Sequence, residues 1–495
     1  MVQPSYINPA LRKSPLLQPA IAWIPILALV VLTALCVAAG LGGLLNLLFP
    51  AGAFVVAIVL YWRYPVIYVS FAWWLWLITP WVRRMADFNG SGWTDPSPIL
   101  LTPLLVSFVS GFALIKGQVR LANALPFLLC AISVAYGLLV GLVINEPQAA
   151  VLAFINWISP IFLGFHLFSQ WRSYPLYRQT LQRSFAWGAL VMGIYGVVQF
   201  LMAPPWDAAW MADAFTYAGL NSIGQPEPLA IRVFSLSYAP QPFATLMMAG
   251  LLLLLAGNSQ IKLFAAGFGI ISFLLSLARA AWIGLFVSLV IFLPSLKSSV
   301  QIRLIGSLLI LSLLMVPIVQ MEPFASTILP RIEGLTNTSN DVSASDRSEG
   351  YQRLAGKAFS DVSGRGLGFV FEDETIGVRD SGLLTLWFSL GWLGAVPYLL
   401  GLGLLLFSLF QTVASRFDLF ASAARAIAVG TFIQIGLNEI TVGVVGAVLW
   451  TFLGVGMAAR QYHTYQQRLE SLGELGASGM SISQDLEQYF MRKGG

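Results

Sequence analysis

The feature that most limits what this chain can become is an uncharged apolar run long enough to cross a bilayer, repeated along most of its length. The first, "AIAWIPILALVVLTALCVAA" from Ala20, has 20 residues, and about 20 helical residues span a hydrocarbon core. Counting it as 19–39, comparable runs follow near 42–61, 64–82, 97–115, 121–144, 149–168, 184–203, 240–256, 262–277, 280–295, 303–319, 382–410, 422–437 and 442–459. Hydrocarbon offers the backbone no hydrogen-bond partner, so each run must satisfy itself as a helix. The expectation is an all-α polytopic membrane protein with about fourteen transmembrane helices, and no fewer than twelve. Near the start, "GLGGLLNLLFPAG" is also readable as a break within one re-entrant element.

Composition agrees. Hydrophobic residues make up 57% and charged residues 10% of the chain, with a mean hydropathy of +0.78, whereas soluble proteins carry about a quarter charged. Arg12 and Lys13 ahead of the first run resemble the start of a signal peptide, but the many spans that follow favour a retained first helix. The net charge of +5 is no argument for a nucleic-acid partner, because basic residues in such chains flank the spans on the cytoplasmic side. Cys36 and Cys130 fall inside apolar runs without metal-ligand spacing, and only His166 and His463 could add imidazole. Neither a disulfide scaffold nor a zinc site is expected, and no cofactor.

Charge also orients the chain. With the N-terminus inside, 17 of the 27 basic residues fall in cytoplasmic segments and 17 of the 22 acidic ones outside or at the outer boundary. Arg83 and Arg84 are the exception to the positive-inside rule. Both termini are then cytoplasmic, residues 1–459 form the transmembrane domain, and 460–495 form a cytoplasmic polar tail. Two long segments, 204–238 and 320–381, face outward. Connections of that length usually carry function or stay unstructured, and the second has apolar and aromatic residues with which to fold against the membrane domain.

Within that second segment lies "SASDRSEGYQRLAGKAFSDVSGRGLGF". Asp346 and Glu349 suit the first turn of a helix. Arg347, Tyr351, Leu354 and Ala358 then recur at helical spacing on one face, while Arg353 pairs with Glu349 on another. Arg347 therefore projects inward, toward either a ligand or a structural carboxylate. Glycines 364, 366 and 368 would let backbone N–H groups approach an anion or a sugar, or simply make a flexible turn. The apolar stretch 263–296 holds one charge, Arg279, and its 34 residues are too long for a single span, so it must break although "SLARAAW" has no glycine or proline. An arginine there must face protein, water or an anion. Arg232, in "LAIRVFSLSYAPQPFATLMM", precedes another span, where interfacial anchoring is the alternative role.

Taken in order, an arginine ahead of "SLSYAPQP", the "S-x-A-R" break, an "R-x3-Y…G-x-G" loop and a polar pair opening a span that continues "LGWLG" resemble the O-antigen ligase and O-antigen polymerase family of bacteria, over about residues 184–459. The resemblance implies a glycosyltransferase of the bacterial inner membrane. It would transfer a glycan from a polyprenyl diphosphate carrier to an acceptor hydroxyl, without metal or cofactor, surrounded by membrane lipids and assisted by flippase and chain-length regulator proteins. Arg232, Arg279 and Arg347 would hold the diphosphate, Arg279 and Arg347 also stabilising the leaving group. Tyr351, Gly366, Gly368 and Ser381 would contact the glycan or its backbone surroundings. Where ligases of this family have a histidine, this chain has Asp380, which is expected to deprotonate or orient the acceptor. The rival readings are a secondary transporter or flippase-like export protein, disfavoured by the scarcity of charge within the spans, and a non-catalytic envelope scaffold. Cysteines introduced at Asn337 or Asp373 are expected to react with a membrane-impermeant thiol reagent in cells with a permeabilised outer membrane; labelling only after lysis would invert the topology.

Overall fold

The computed structural model describes residues 20–115, 121–303, 305, 306, 354, 356, 359–369, 381–411 and 418–477. The apolar runs in them are helices: α1 (Ala20–Ala38), α2 (Gly42–Arg63), α3 (Pro65–Ser91), α4 (Pro98–Ile115), α5 (Leu121–Ile144), α6 (Pro147–Ser169), α7 (Tyr174–Met202), α8 (Pro205–Ala218), α9 (Pro240–Ala256), α10 (Lys262–Leu275), α11 (Arg279–Phe292), α12 (Gly382–Ser408), α13 (Leu419–Phe432) and α14 (Gly443–Ala477). The chain is an all-α membrane protein. Among the described residues, ten helices are long and apolar enough to cross a bilayer, and α9, α10 and α11 are shorter apolar helices. The run expected near 303–319 lies almost wholly outside the described residues. The single β feature among them is an isolated bridge between Gly224 and Ile231.

Several expectations change in detail. "GLGGLLNLLFPAG" does not break a re-entrant element: α1 ends at a turn through Gly40, at φ +69°, and Leu41 N–H donates to Cys36 O at 2.8 Å. Glycine can take that left-handed conformation and so closes the helix end, after which α2 continues through Pro50. The segment 204–238 is not all loop, since it contains α8. The helix α14 runs unbroken from the core into the polar segment that begins at 460.

Small residues set the helix spacing. A Cβ on Gly164 of α6 would overlap the backbone of Trp450 in α14, and one on Gly454 would overlap the backbone of Gly164. In the same way Gly284 of α11 and Gly430 of α13 approach backbone to backbone, beside a hydrogen bond from Ser288 Oγ to Ala426 O at 2.9 Å. Lipid tails are as apolar as leucine, so close packing and hydrogen bonds, not hydrophobicity alone, hold such helices together.

Antiparallel connections sort the loops onto two ends of the bundle. One end carries Asp418, which caps α13 through the N–H groups of Phe420 and Ala421. Its carboxylate also accepts from Tyr174 at 2.6 Å and His463 at 3.0 Å and pairs with Arg178 at 3.1 Å. Burial alone would raise this carboxyl; the hydrogen bonds from His463 and Tyr174 and the charge of Arg178 hold it below its ordinary value. His463 thus ties α14 to α13 and α7 rather than standing in a free tail.

The other end, called here the arginine end, explains Arg83 and Arg84. Arg84 Nη1 lies 2.7 Å from Asp207 Oδ1, with both side chains buried, and its Nη2 donates to Ser235 O. Asp207 Oδ2 accepts from Tyr195 at 2.9 Å and Gln199 at 2.8 Å, and Gln199 Oε1 accepts from the N–H groups of Phe234 and Ser235. Arg83 pairs with Asp87 at 3.3 Å and stacks over Trp93. Neither arginine therefore acts as a free topology signal; both are internal structural charges. Arg84→Ala leaves Asp207 buried without its cation, and the expected cost is about 3–5 kcal/mol. Thermal unfolding in detergent should show the loss, and joint apolar replacement of Arg84 and Asp207 should recover most of it.

Candidate functional site

The 263–296 stretch breaks at Ser276–Ala278, between α10 and α11. Leu277 takes the left-handed conformation at φ +52°, which costs a residue with a Cβ about 1–2 kcal/mol. What makes the turn tenable is that its carbonyls are satisfied. A helix C-terminus leaves acceptors without partners, and hydrocarbon supplies none. Here Leu275 O accepts from Val233 N–H at 3.1 Å. Ser276 O and Leu277 O accept from Arg232 Nε and Nη2 at 3.4 and 3.2 Å, and Arg232 Nη1 reaches Ser222 O at 2.6 Å. Arg232 is placed as a brace across the break, with three of its donors on carbonyls.

Arg279 is the first residue of α11, immediately past the break, and is half-buried. The start of a helix carries the positive end of its dipole, where a second positive charge is disfavoured by a few tenths of a kcal/mol to about 1 kcal/mol. An anion at that position would reverse the balance. One turn along α11, Gly284 abuts Gln434 and Gly430 at the far end of α13. Gln434 Oε1 in turn accepts from Gln241 at 2.8 Å and Thr245 at 3.2 Å on α9.

The same turn receives the start of α12. Gly382 N–H donates to Asn438 O at 3.2 Å, and a Cβ on Gly382 would overlap that carbonyl. Ser381 is fully buried, and its hydroxyl accepts from Leu384 N–H at 3.2 Å, capping α12. Asp380, Arg347 and Tyr351 lie outside the described residues, as do Arg353 and most of the 320–381 segment.

The glycines of 361–369 have a packing role. Gly364, Gly366 and Gly368 sit at φ +73°, +78° and +82°, and a Cβ on each would overlap, respectively, the backbone at Leu390–Gly391, at Val140–Gly141 and at Ala149–Ala150. They approach the protein's own helices, so that 361–369 wedges between α5, α6 and α12. Its carbonyls at 365 and 367 accept from Asn145 Nδ2 at 2.8 and 3.1 Å, while Leu367 N–H donates to Gly137 O at 2.9 Å and Arg365 N–H to Phe388 O at 2.7 Å. Phe388 O is left open by the kink at Gly391, φ +58°.

The structure thus brings Arg232, Arg279 and Ser381 to one end of the bundle, with Arg232 touching the break that Arg279 follows and Ser381 and α11 both against the end of α13. Sequence reasoning missed Gln434, Gln241, Asn145 and Glu439. The first three carried a legible signal, since an amide among apolar residues must find a partner. Glu439 lies close enough to Tyr238 to act on it electrostatically.

No protein-family model matches the chain. No curated protein matches it in sequence. What suits an oxyanion at this end is the Arg279 guanidinium at the start of α11, on a turn that Arg232 braces. Among the described residues no cluster of His, Cys, Asp and Glu could hold a metal ion. Arg232→Lys keeps the charge but cannot bridge three carbonyls, so it is expected to lose on the order of 2 kcal/mol of stability.

Proposed function

We propose that the protein transfers a glycan from a polyprenyl diphosphate carrier to an acceptor sugar hydroxyl, as an exopolysaccharide or O-antigen type polymerase or ligase acting at the outer face of a bacterial inner membrane. The observation that carries the reading is Arg279, half-buried at the start of α11, immediately past a break braced by Arg232. A diphosphate leaving group gains negative charge as the anomeric carbon–oxygen bond breaks. A guanidinium fork and helix N–H groups held in place beforehand stabilise that charge where it develops. In this reading Arg279 touches the diphosphate, Arg232 positions the turn that presents it, and Arg347 and Asp380 supply a further cation and the acceptor's base.

The order of motifs along residues 184–459 supports the same reading, as does the scarcity of charge deep in the spans, where a coupled transporter would keep ionisable groups. That 204–238 and the start of α12 lie at the same end of the bundle is consistent with a site built from both segments.

The test is transfer from a purified lipid-linked glycan to an acceptor by the purified protein. Arg279→Lys should lower the rate about tenfold or more, and Asp380→Asn about 10²- to 10⁴-fold with an unchanged thermal midpoint. Arg353→Ala should be nearly silent. Accumulation of a labelled solute in vesicles without any glycan transfer would overturn the reading in favour of a transporter.

A further inference from the structure

A fourth arginine stands apart from those above. Arg365 lies in the wedge 361–369, and its guanidinium carbon sits 4.6 Å from the ring centroid of Phe369 and 5.3 Å from that of Phe388. Its backbone is fully engaged, the N–H on Phe388 O and the carbonyl on Asn145 Nδ2. Its side chain pairs with no carboxylate among the described residues. The carboxylate four residues earlier, Asp361, is committed elsewhere, accepting from Gly364 N–H at 3.0 Å and Ser363 Oγ at 3.3 Å. Two other arginines at this end also stack on rings, and each has its counter-ion: Arg83 with Asp87, and Arg84 with Asp207. Arg365 has the rings and, among the described residues, no acid.

Its depth makes this significant. Phe388 is seven residues along from Ser381, about 10 Å down the axis of α12. Leu367 is held at the level of Gly137, seven residues before the end of α5. The wedge therefore reaches from the α5–α6 turn to below the helix ends, where a half-buried cation needs an anion or water. Stacking uses the faces of the aromatic rings, and the planar fork keeps its in-plane N–H edge for an oxyanion. A long stem lets that edge rise toward headgroups.

We infer that Arg365 binds the phosphate of a membrane lipid in the leaflet at the arginine end, beside α5 and α12. The site does not depend on the transfer reading: a phospholipid headgroup and the phosphate of a polyprenyl carrier present the same oxyanion, and only the second would connect it to a donor.

Binding by native mass spectrometry separates the cases, with wild type, Arg365→Gln, Arg365→Lys and, as a stacked arginine at the opposite end, Arg172→Gln. The probes are phosphatidylglycerol, undecaprenyl phosphate and, as the lipid without phosphate, diacylglycerol. Wild type should bind at least one phosphate lipid well above diacylglycerol. Arg365→Gln should weaken that binding about tenfold or more, Arg365→Lys less, and Arg172→Gln not at all. Loss for phosphatidylglycerol would identify a general phospholipid site, and loss confined to undecaprenyl phosphate a carrier site. Should Arg365→Gln fail to fold, the Lys variant alone decides, because it keeps the charge and still loses the fork. Wild-type binding of both phosphate lipids by the folded variants, or equal binding of diacylglycerol, would overturn the inference.

Discussion

The constraint on which this structure depends is that a backbone carbonyl or N–H inside hydrocarbon must find its partner within the protein. Helices meet it automatically. Two irregular segments among the described residues, 276–278 and 361–369, meet it with named side chains: Arg232 across the first, Asn145 across the second. Each brace converts a costly irregular segment into a fixed one. In both cases the fixed segment carries or precedes an arginine.

That coupling gives the arginines different roles. Arg84 is neutralised by Asp207 and fastens α3 to α8, and through Gln199 to the segment that leads into α9. Arg232 spends its donors on carbonyls. Arg279 and Arg365 lie just past or within the braced segments, with helix start or aromatic rings around them. A charge count along the chain treats all four alike, although two hold the fold and two are placed for a ligand in the readings proposed above.

Glycine does the corresponding work for packing. Alternation of Gly364, Gly366 and Gly368 could mean an open, ligand-seeking backbone or a backbone pressed against another. Three different helices lie where the missing Cβ atoms would be, so the pattern is a docking strip. The same sequence signal has two physical causes, distinguished only by what stands within a few ångströms.

The sequence by itself determined the all-α membrane class, because runs of about 20 uncharged apolar residues leave the backbone no alternative to helix. It determined that 263–296 must break, because a helix of that length would overshoot the bilayer. It also marked Arg279 as a charge requiring an explanation. Only the tertiary structure decided that Leu277, without a glycine or proline nearby, bears the turn, since the stabilising donors come from Val233 and Arg232 more than forty residues away. It decided likewise that Ser381 is a cap and that Arg83 and Arg84 answer Asp87 and Asp207 rather than the membrane potential. The reason is common to all of these: a residue's own type reports what it can donate or accept, while the partner that uses that capacity arrives from a distant part of the chain.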